Sequence, residues 1–171
     1  KLKFRKFINN DEFKWFLCTI PFLLLIVLPI VINVTENNLE TSFRHALFQI
    51  MSIMTGTGYS NADFTSWGAF ATFIFFLLMF SGASAGSTTG GIKIVRIGLL
   101  IKNTVLEFKR RLHPNAIIPV HLNRMAVAPK TIYNLLAFIF FYLFIFVNGS
   151  IILTFIGLDF QDAVGASATA I

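Results

Sequence analysis

Apolar residues in this chain gather into uncharged runs separated by short polar stretches. Residues 15–34 are uncharged over roughly twenty positions, enough at about 1.5 Å per residue to cross a hydrocarbon core about 30 Å thick, and predict a first spanning helix. Pro21 and Pro29 predict kinks in it, with neighbouring helices satisfying the freed carbonyls. Residues 41–54 are amphipathic and too short to span, with Thr41 or Ser42 as the expected N-cap. They run into Thr55-Gly56-Thr57-Gly58-Tyr59, which predicts a re-entrant helix whose partly negative C-terminal end faces a cation within the membrane.

A third apolar run, 67–80, stops short of a full crossing. It is interrupted by Ser81-Gly82-Ala83-Ser84-Ala85-Gly86-Ser87-Thr88-Thr89-Gly90-Gly91, and a helical pattern resumes over 92–111. Such Gly/Ser composition elsewhere forms a linker. At membrane depth, irregular backbone is tolerated only where it is buried in protein or lines a watery cavity, so a broken inner helix over 66–112, beside an ion path, is the expectation. His113-Pro114 ends it, and Pro119 and Pro129 keep the connection 113–130 irregular. Residues 131–155 form the next uncharged span, 157–160 a turn, and 162–171 the start of a short Ala-rich helix that Asp159 and Asp162 are expected to cap.

Shifting the sequence by 117 residues lays Trp15 on Ile132, Phe43 on Phe160, Ala46 on Ala163 and Leu47 on Val164. The match lies in architecture more than identity: a span followed by a short re-entrant helix occurs twice, as a pore built from internal repeats requires. Met54 falls on Ile171, so a second filter is expected just past the last residue. The missing initiator Met gives the matching expectation that the chain begins inside a longer protein.

The alternating Thr and Gly of 55–59 carry the candidate chemistry. Potassium selectivity needs carbonyl oxygens turned inward to replace the hydration shell, and glycine permits the backbone angles that turn them. The same five residues in a soluble chain would read as a surface turn. Their place between two very hydrophobic stretches decides for the pore.

Composition strengthens this reading. With 56% hydrophobic residues, 13% charged, 21 Phe and a mean hydropathy of +0.74, the chain has too little polar residue to cover a water-soluble globule. The net charge of +6 does not indicate nucleic acid, because the cations lie in separate segments between long apolar runs. Residues 1–14 and 93–130 are basic, at +3 and +7, while 35–63 and the tail after Gly157 are acidic, at −2 each. By the positive-inside rule the basic segments are cytoplasmic and the acidic ones face outside. The first apolar run is too long for a signal peptide and no small-residue cleavage site follows it. Cys18 stands alone and reads as a small filler facing lipid or a helix.

Other motifs fail on their own terms. The run from Gly86 to Lys93 resembles a phosphate-binding loop, but Ile92 holds the Lys position and no strand precedes it. His45, His113 and His121 fall on opposite sides of the membrane and cannot share a metal. No nucleophile triad or paired carboxylate is visible. The acceptor pattern Asn148-Gly149-Ser150 sits inside a span, out of reach of glycosylation. Lys93 and Arg96 read either as positive-inside anchors or as charges at an inner pore mouth that repel ions or hold a gate.

The chain resembles the TrkH/KtrB family of bacterial potassium transport proteins, in the superfamily of potassium transporters. The resemblance rests on residues 55–59, Ala62-Asp63-Phe64 and Trp67, the run Gly82-Ala83-Ser84-Ala85-Gly86-Ser87-Thr88-Thr89-Gly90-Gly91-Ile92-Lys93, and His113-Pro114. It covers essentially the whole chain. Family loops often carry Gly and Cys where this chain has Ala83 and Ser84. The resemblance implies an all-α integral membrane protein in which four units of helix, re-entrant pore helix and helix stand pseudo-fourfold around one pore. Residues 1–14 would be a cytoplasmic basic linker, 15–112 the third repeat, 113–130 a cytoplasmic connection and 131–171 the first half of the fourth repeat. It also implies that Thr55, Gly56, Thr57, Gly58 and Tyr59 are the ion-binding filter, with Gly58 the filter glycine and Thr55 to Gly58 supplying carbonyls. Residues 82–91 would be the intramembrane gate loop. Further implications are a multi-pass protein of the bacterial inner membrane, a homodimer, and a cytoplasmic ring of nucleotide-binding regulatory subunits meeting the basic inner surface from Lys102 to Arg111.

The expected function is passage of potassium, with sodium as a second candidate ion, through carbonyl-lined sites; no bond is made or broken and no cofactor is expected. The alternative is an ion-coupled solute symporter with broken helices. An intramembrane enzyme would need a catalytic pair that the sequence lacks.

Overall fold

The computed structural model describes residues 10–35, 38–113, 118–123 and 125–171. Most of the basic linker, together with Glu36, Pro114 and Arg124, lies outside the described residues. In chain order the elements are α1 (Asp11–Val34), α2 (Leu39–Met54), a 3-10 turn (Phe64–Trp67), α3 (Ala69–Met79), β1 (Ser81–Gly82), β2 (Ile92–Lys93), α4 (Ile94–Leu112), β3 (His121–Leu122), β4 (Met125–Ala126), α5 (Pro129–Phe155) and α6 (Phe160–Ala170). Among the described residues, α1 and α5 are the helices long and apolar enough to cross a membrane. Both expose large apolar side chains, among them Leu17, Phe22 and Leu25 on α1 and Phe140, Phe144 and Ile151 on α5. A helix apolar on its outward faces needs lipid or further protein around it. The chain divides into two compact units, Phe16–Gly91 and the described residues up to Trp15 together with Ile92–Ile171.

In the unit Phe16–Gly91, α1 continues through both prolines. It buries Leu23, Val27 and Val31, one helical turn apart. Past its end, the Thr35 hydroxyl bonds back to the Val31 carbonyl at 2.8 Å and also pairs with the Ser42 hydroxyl. The N-cap of α2 is Asn38, neither Thr41 nor Ser42: its side chain accepts the Thr41 amide at 3.3 Å, while the Thr41 and Ser42 hydroxyls donate to its carbonyl. Asparagine caps as well as serine and better than threonine, and here the helix begins at Leu39, two residues before the expected start. The apolar run 67–80 is likewise subdivided. Gly68, at φ +101°, separates the 3-10 turn from α3.

In the other unit, Leu99 of α4, Val120 beside the hairpin, and Ile132 and Leu135 of α5 form a buried cluster. The hairpin β3–β4 pairs His121 with Ala126 and Leu122 with Met125, antiparallel. It is tied to the first turn of α1 by a reciprocal pair: the Asp11 amide donates to Asn123 Oδ1 at 2.8 Å, and the Asn123 amide to Asp11 Oδ2 at 3.1 Å. Lys102 adds an ion pair to Asp11 at 3.1 Å and a bond to the His121 carbonyl at 3.3 Å. The Asn123 amide, foremost, and then Lys102 hold the Asp11 carboxyl below the usual carboxylate range against the opposing effect of its burial. Asp159 takes the N-cap position of α6 without a side-chain cap bond, and Asp162 lies in that helix's first turn.

Trp15 lies against Gly98 of α4 with the Lys102 ammonium 4.6 Å from its ring centroid. A Cβ on Gly98 would stand 2.3 Å from two indole carbons, and a rigid ring cannot yield as a flexible chain end would. Gly98→Ala is therefore expected to destabilise the protein by about 1–3 kcal/mol, the usual cost of overpacking. Thermal unfolding in detergent checks this against Gly165→Ala, where an added Cβ meets nothing within 4 Å. Equal melting of the two variants would show that Trp15 is not packed on Gly98.

Candidate functional site

Helix α2 delivers the segment 55–59. Its face of Ser42, Ala46, Gln49, Ile50 and Met54 is buried, which fixes the helix and the direction in which its C-terminus points. Thr55 caps it at φ −87°. Gly56 and Gly58 then take φ of +67° and +76°, while Thr57 and Tyr59 have no positive φ. Glycine occupies these two left-handed positions without the Cβ penalty that another residue would carry.

The amides from Thr55 to Gly58 are bonded back to α2. Thr55 donates to the Met51 carbonyl at 2.9 Å and Gly56 to that of Ile53 at 3.1 Å; Thr57 and Gly58 share the Ser52 carbonyl at 2.9 and 3.4 Å. These bonds engage carbonyls that a helix end otherwise leaves open. Side chains brace the turn. The Thr55 hydroxyl donates to the Met51 carbonyl at 2.6 Å and meets the Thr57 hydroxyl at 2.6 Å. Buried Ser52 donates to the Tyr59 carbonyl at 2.5 Å, so Tyr59 anchors the segment and its carbonyl is turned back to the helix. Ser60 reaches the buried Gln49 side chain at 3.3 Å. Sequence reading missed Ser52 and Gln49; their signal is polarity on a face that otherwise repeats apolar residues.

Farther along, Asp63 caps the 3-10 turn, its carboxylate accepting the Thr65 hydroxyl at 2.6 Å and the Thr65 amide at 2.9 Å. The hydroxyl bond, then the amide bond, lowers its pKa. Trp67 is buried with its ring 5.8 Å from that of Phe75, which Phe64 meets edge-on at 5.3 Å.

The segment 82–91 closes on itself. A Cβ on Gly82 would lie 2.4 Å from the Gly90 carbonyl, and one on Gly91, at φ +78°, would lie 3.0 Å from the Phe80 carbonyl. Its ends therefore meet backbone to backbone, the signature of a compact loop held by its own atoms. Between them Ala83 is buried and the Ser87 amide closes a turn on the Ser84 carbonyl at 3.0 Å, while Ser84, Ala85, Gly86 and Thr88 are exposed. The loop also reaches the segment 55–59: the Thr89 hydroxyl donates to the Thr55 carbonyl at 3.1 Å. Residues 55–59 and 82–91 thus stand together in one unit. Lys93 and Arg96 belong to the other, where the Arg96 guanidinium lies 4.1 Å from the Phe138 ring centroid. Among the described residues, no three His, Cys, Asp or Glu side chains gather as a metal site.

A family model described as TrkH, cation transport protein, matches residues 4–171. The chain belongs to the TrkH family. That family is one of transport proteins, not of enzymes. The Trk system potassium uptake protein TrkH of Halomonas elongata is 42% identical over 84 residues, 49% of this chain and 17% of that protein. TrkI of the same organism is 31% identical over 151 residues, 87% of this chain and 31% of the relative. The crystal structure of the potassium transporter TrkH from Vibrio parahaemolyticus superposes with a TM-score of 0.88 at 29% identity, over 95% of this chain and 35% of that one. The chain thus spans about a third or less of the length of these TrkH-family relatives.

Proposed function

We propose that residues 55–58 form one of four filter loops of a potassium-conducting pore, and that 82–91 is the gate beneath it. The observation that carries this is the backbone of 55–59: left-handed glycines alternate with threonines, and every amide from Thr55 to Gly58 is bonded back to α2. Oxygens so arranged can replace a cation's hydration shell at little reorganisation cost. The partly negative C-terminal end of α2 adds to the attraction.

The whole protein would carry four such repeats pseudo-fourfold about the pore, the third being 15–112 and the fourth beginning at 131. It would span the bacterial inner membrane many times. It would work as a homodimer on a cytoplasmic ring of nucleotide-binding subunits, with exposed Lys109 and Arg111 offering contacts to that ring. Potassium, with sodium as a second ion, is the substrate.

Rubidium influx into a potassium-uptake-deficient host expressing the full-length protein tests the reading. Influx that potassium suppresses at concentrations where sodium does not is the expected result. Rubidium entry no greater than in the empty host would refute it.

A further inference from the structure

The contact between the loop and the filter is made by Thr89, in two ways. Its hydroxyl donates to the Thr55 carbonyl at 3.1 Å. Its methyl, Cγ2, sits 2.5 Å from where a Cβ of Gly56 would be, so the absence of a side chain at Gly56 is what lets the loop lie against the filter backbone. The hydroxyl is aimed by its neighbour. The Thr89 amide donates to Ser87 Oγ at 3.2 Å, and Ser87 Oγ lies 2.5 Å from Thr89 Oγ1. With the Thr89 proton committed to Thr55, the Ser87 hydroxyl is the donor in that short bond, and the chain of donors strengthens each link.

We propose that Thr89 is a positioning residue for the innermost cation site, because its hydroxyl proton and the permeating ion compete for the Thr55 carbonyl oxygen. The inference rests on the filter reading above. A carbonyl has two lone pairs, but a polarised hydroxyl hydrogen and a cation on the same oxygen repel each other strongly where water is scarce. Closing the loop therefore withdraws one oxygen from the ion, and an ion seated at Thr55 disfavours the closed loop. Gly56 serves both partners, giving the filter its left-handed turn and the loop its seat.

The experiment compares Thr89→Val and Thr89→Ser with wild type in the full-length protein in proteoliposomes, reading rubidium influx against rubidium concentration. Thr89→Val keeps the shape and loses the hydroxyl. It is expected to lower the half-saturating concentration roughly 2- to 10-fold, the equivalent of one net hydrogen bond no longer opposing the ion. Thr89→Ser keeps the hydroxyl and should stay at the wild-type value. If only packing of the methyl on Gly56 matters, the pattern reverses, and the proposal is overturned. A wild-type half-saturation for Thr89→Val overturns it equally. Should Thr89→Val fail to assemble, Thr89→Ala against Thr89→Ser isolates the hydroxyl in the same way. Gly58→Ser, run in parallel, separates the two levels. If it keeps potassium preference over sodium, the filter reading falls; if it loses that preference while Thr89→Val stays at wild type, only the role of Thr89 falls.

Discussion

Replacing Gly58 with serine in the full-length protein is expected to lower potassium uptake about tenfold and to erode its preference over sodium. Gly58 has φ +76°, and an added Cβ would meet nothing within 4 Å. Steric collision with the protein is therefore not the cause. A non-glycine residue in the left-handed region costs about 1–2 kcal/mol, and the simplest relief is to flip the peptide toward negative φ. Such a flip redirects a carbonyl and breaks the shared bond to the Ser52 oxygen. About 1.4 kcal/mol corresponds to tenfold in an equilibrium, so the strain alone is of the right size. Growth at limiting potassium and competition of sodium against rubidium influx are the measurements. Unchanged growth with unchanged preference would remove Gly58 from the filter.

Gly86→Ala supplies the contrast. That glycine also has open space around it but no positive φ, and it should leave uptake near wild type.

What the sequence revealed and what it hid divide by distance along the chain. Alternating Thr and Gly encode handedness residue by residue, so the turn after α2 could be read directly from 55–59. The uncharged runs in α1 and α5 were equally plain, because crossing a membrane is a requirement on length and polarity alone. The start of α2 was misplaced by a few residues because Asn38, Thr41 and Ser42 are all capping residue types, and residue type alone does not choose among them. The Thr89 to Thr55 bond joins residues 34 apart, and the Asp11 to Asn123 pair joins residues 112 apart. No periodicity or propensity carries such pairings. The glycines of 82–91 were visible as a break in a helix, but the meeting of Gly82 with Gly90 that makes the break a closed loop is a property of the folded backbone.

That closure governs the last prediction. Because the loop's ends already touch at Gly82 and Gly90, its exposed tip of Ser84, Ala85 and Gly86 can be removed without parting α3 from the residues that follow. Removing the tip takes away the turn that closes on the Ser84 carbonyl and so the placement of Ser87, which aims the Thr89 hydroxyl. The loop then loses its hold on the Thr55 carbonyl and, on the proposed reading, its bulk beneath the filter. Flux through the full-length protein is expected to rise by about tenfold, combining roughly 0.5–1.5 kcal/mol of lost hydrogen bonding with relief of the obstruction. A plain linker at this position would respond differently, since shortening it would leave flux unchanged or destroy the fold. Potassium flux at matched protein abundance, with assembly verified by size-exclusion profile, distinguishes these outcomes. A folded deletion variant conducting at or below the wild-type rate would rule out a gate at 82–91 and leave the filter at 55–58 standing, because the backbone alternation and the amide bonds to α2 that define the filter involve none of the residues removed.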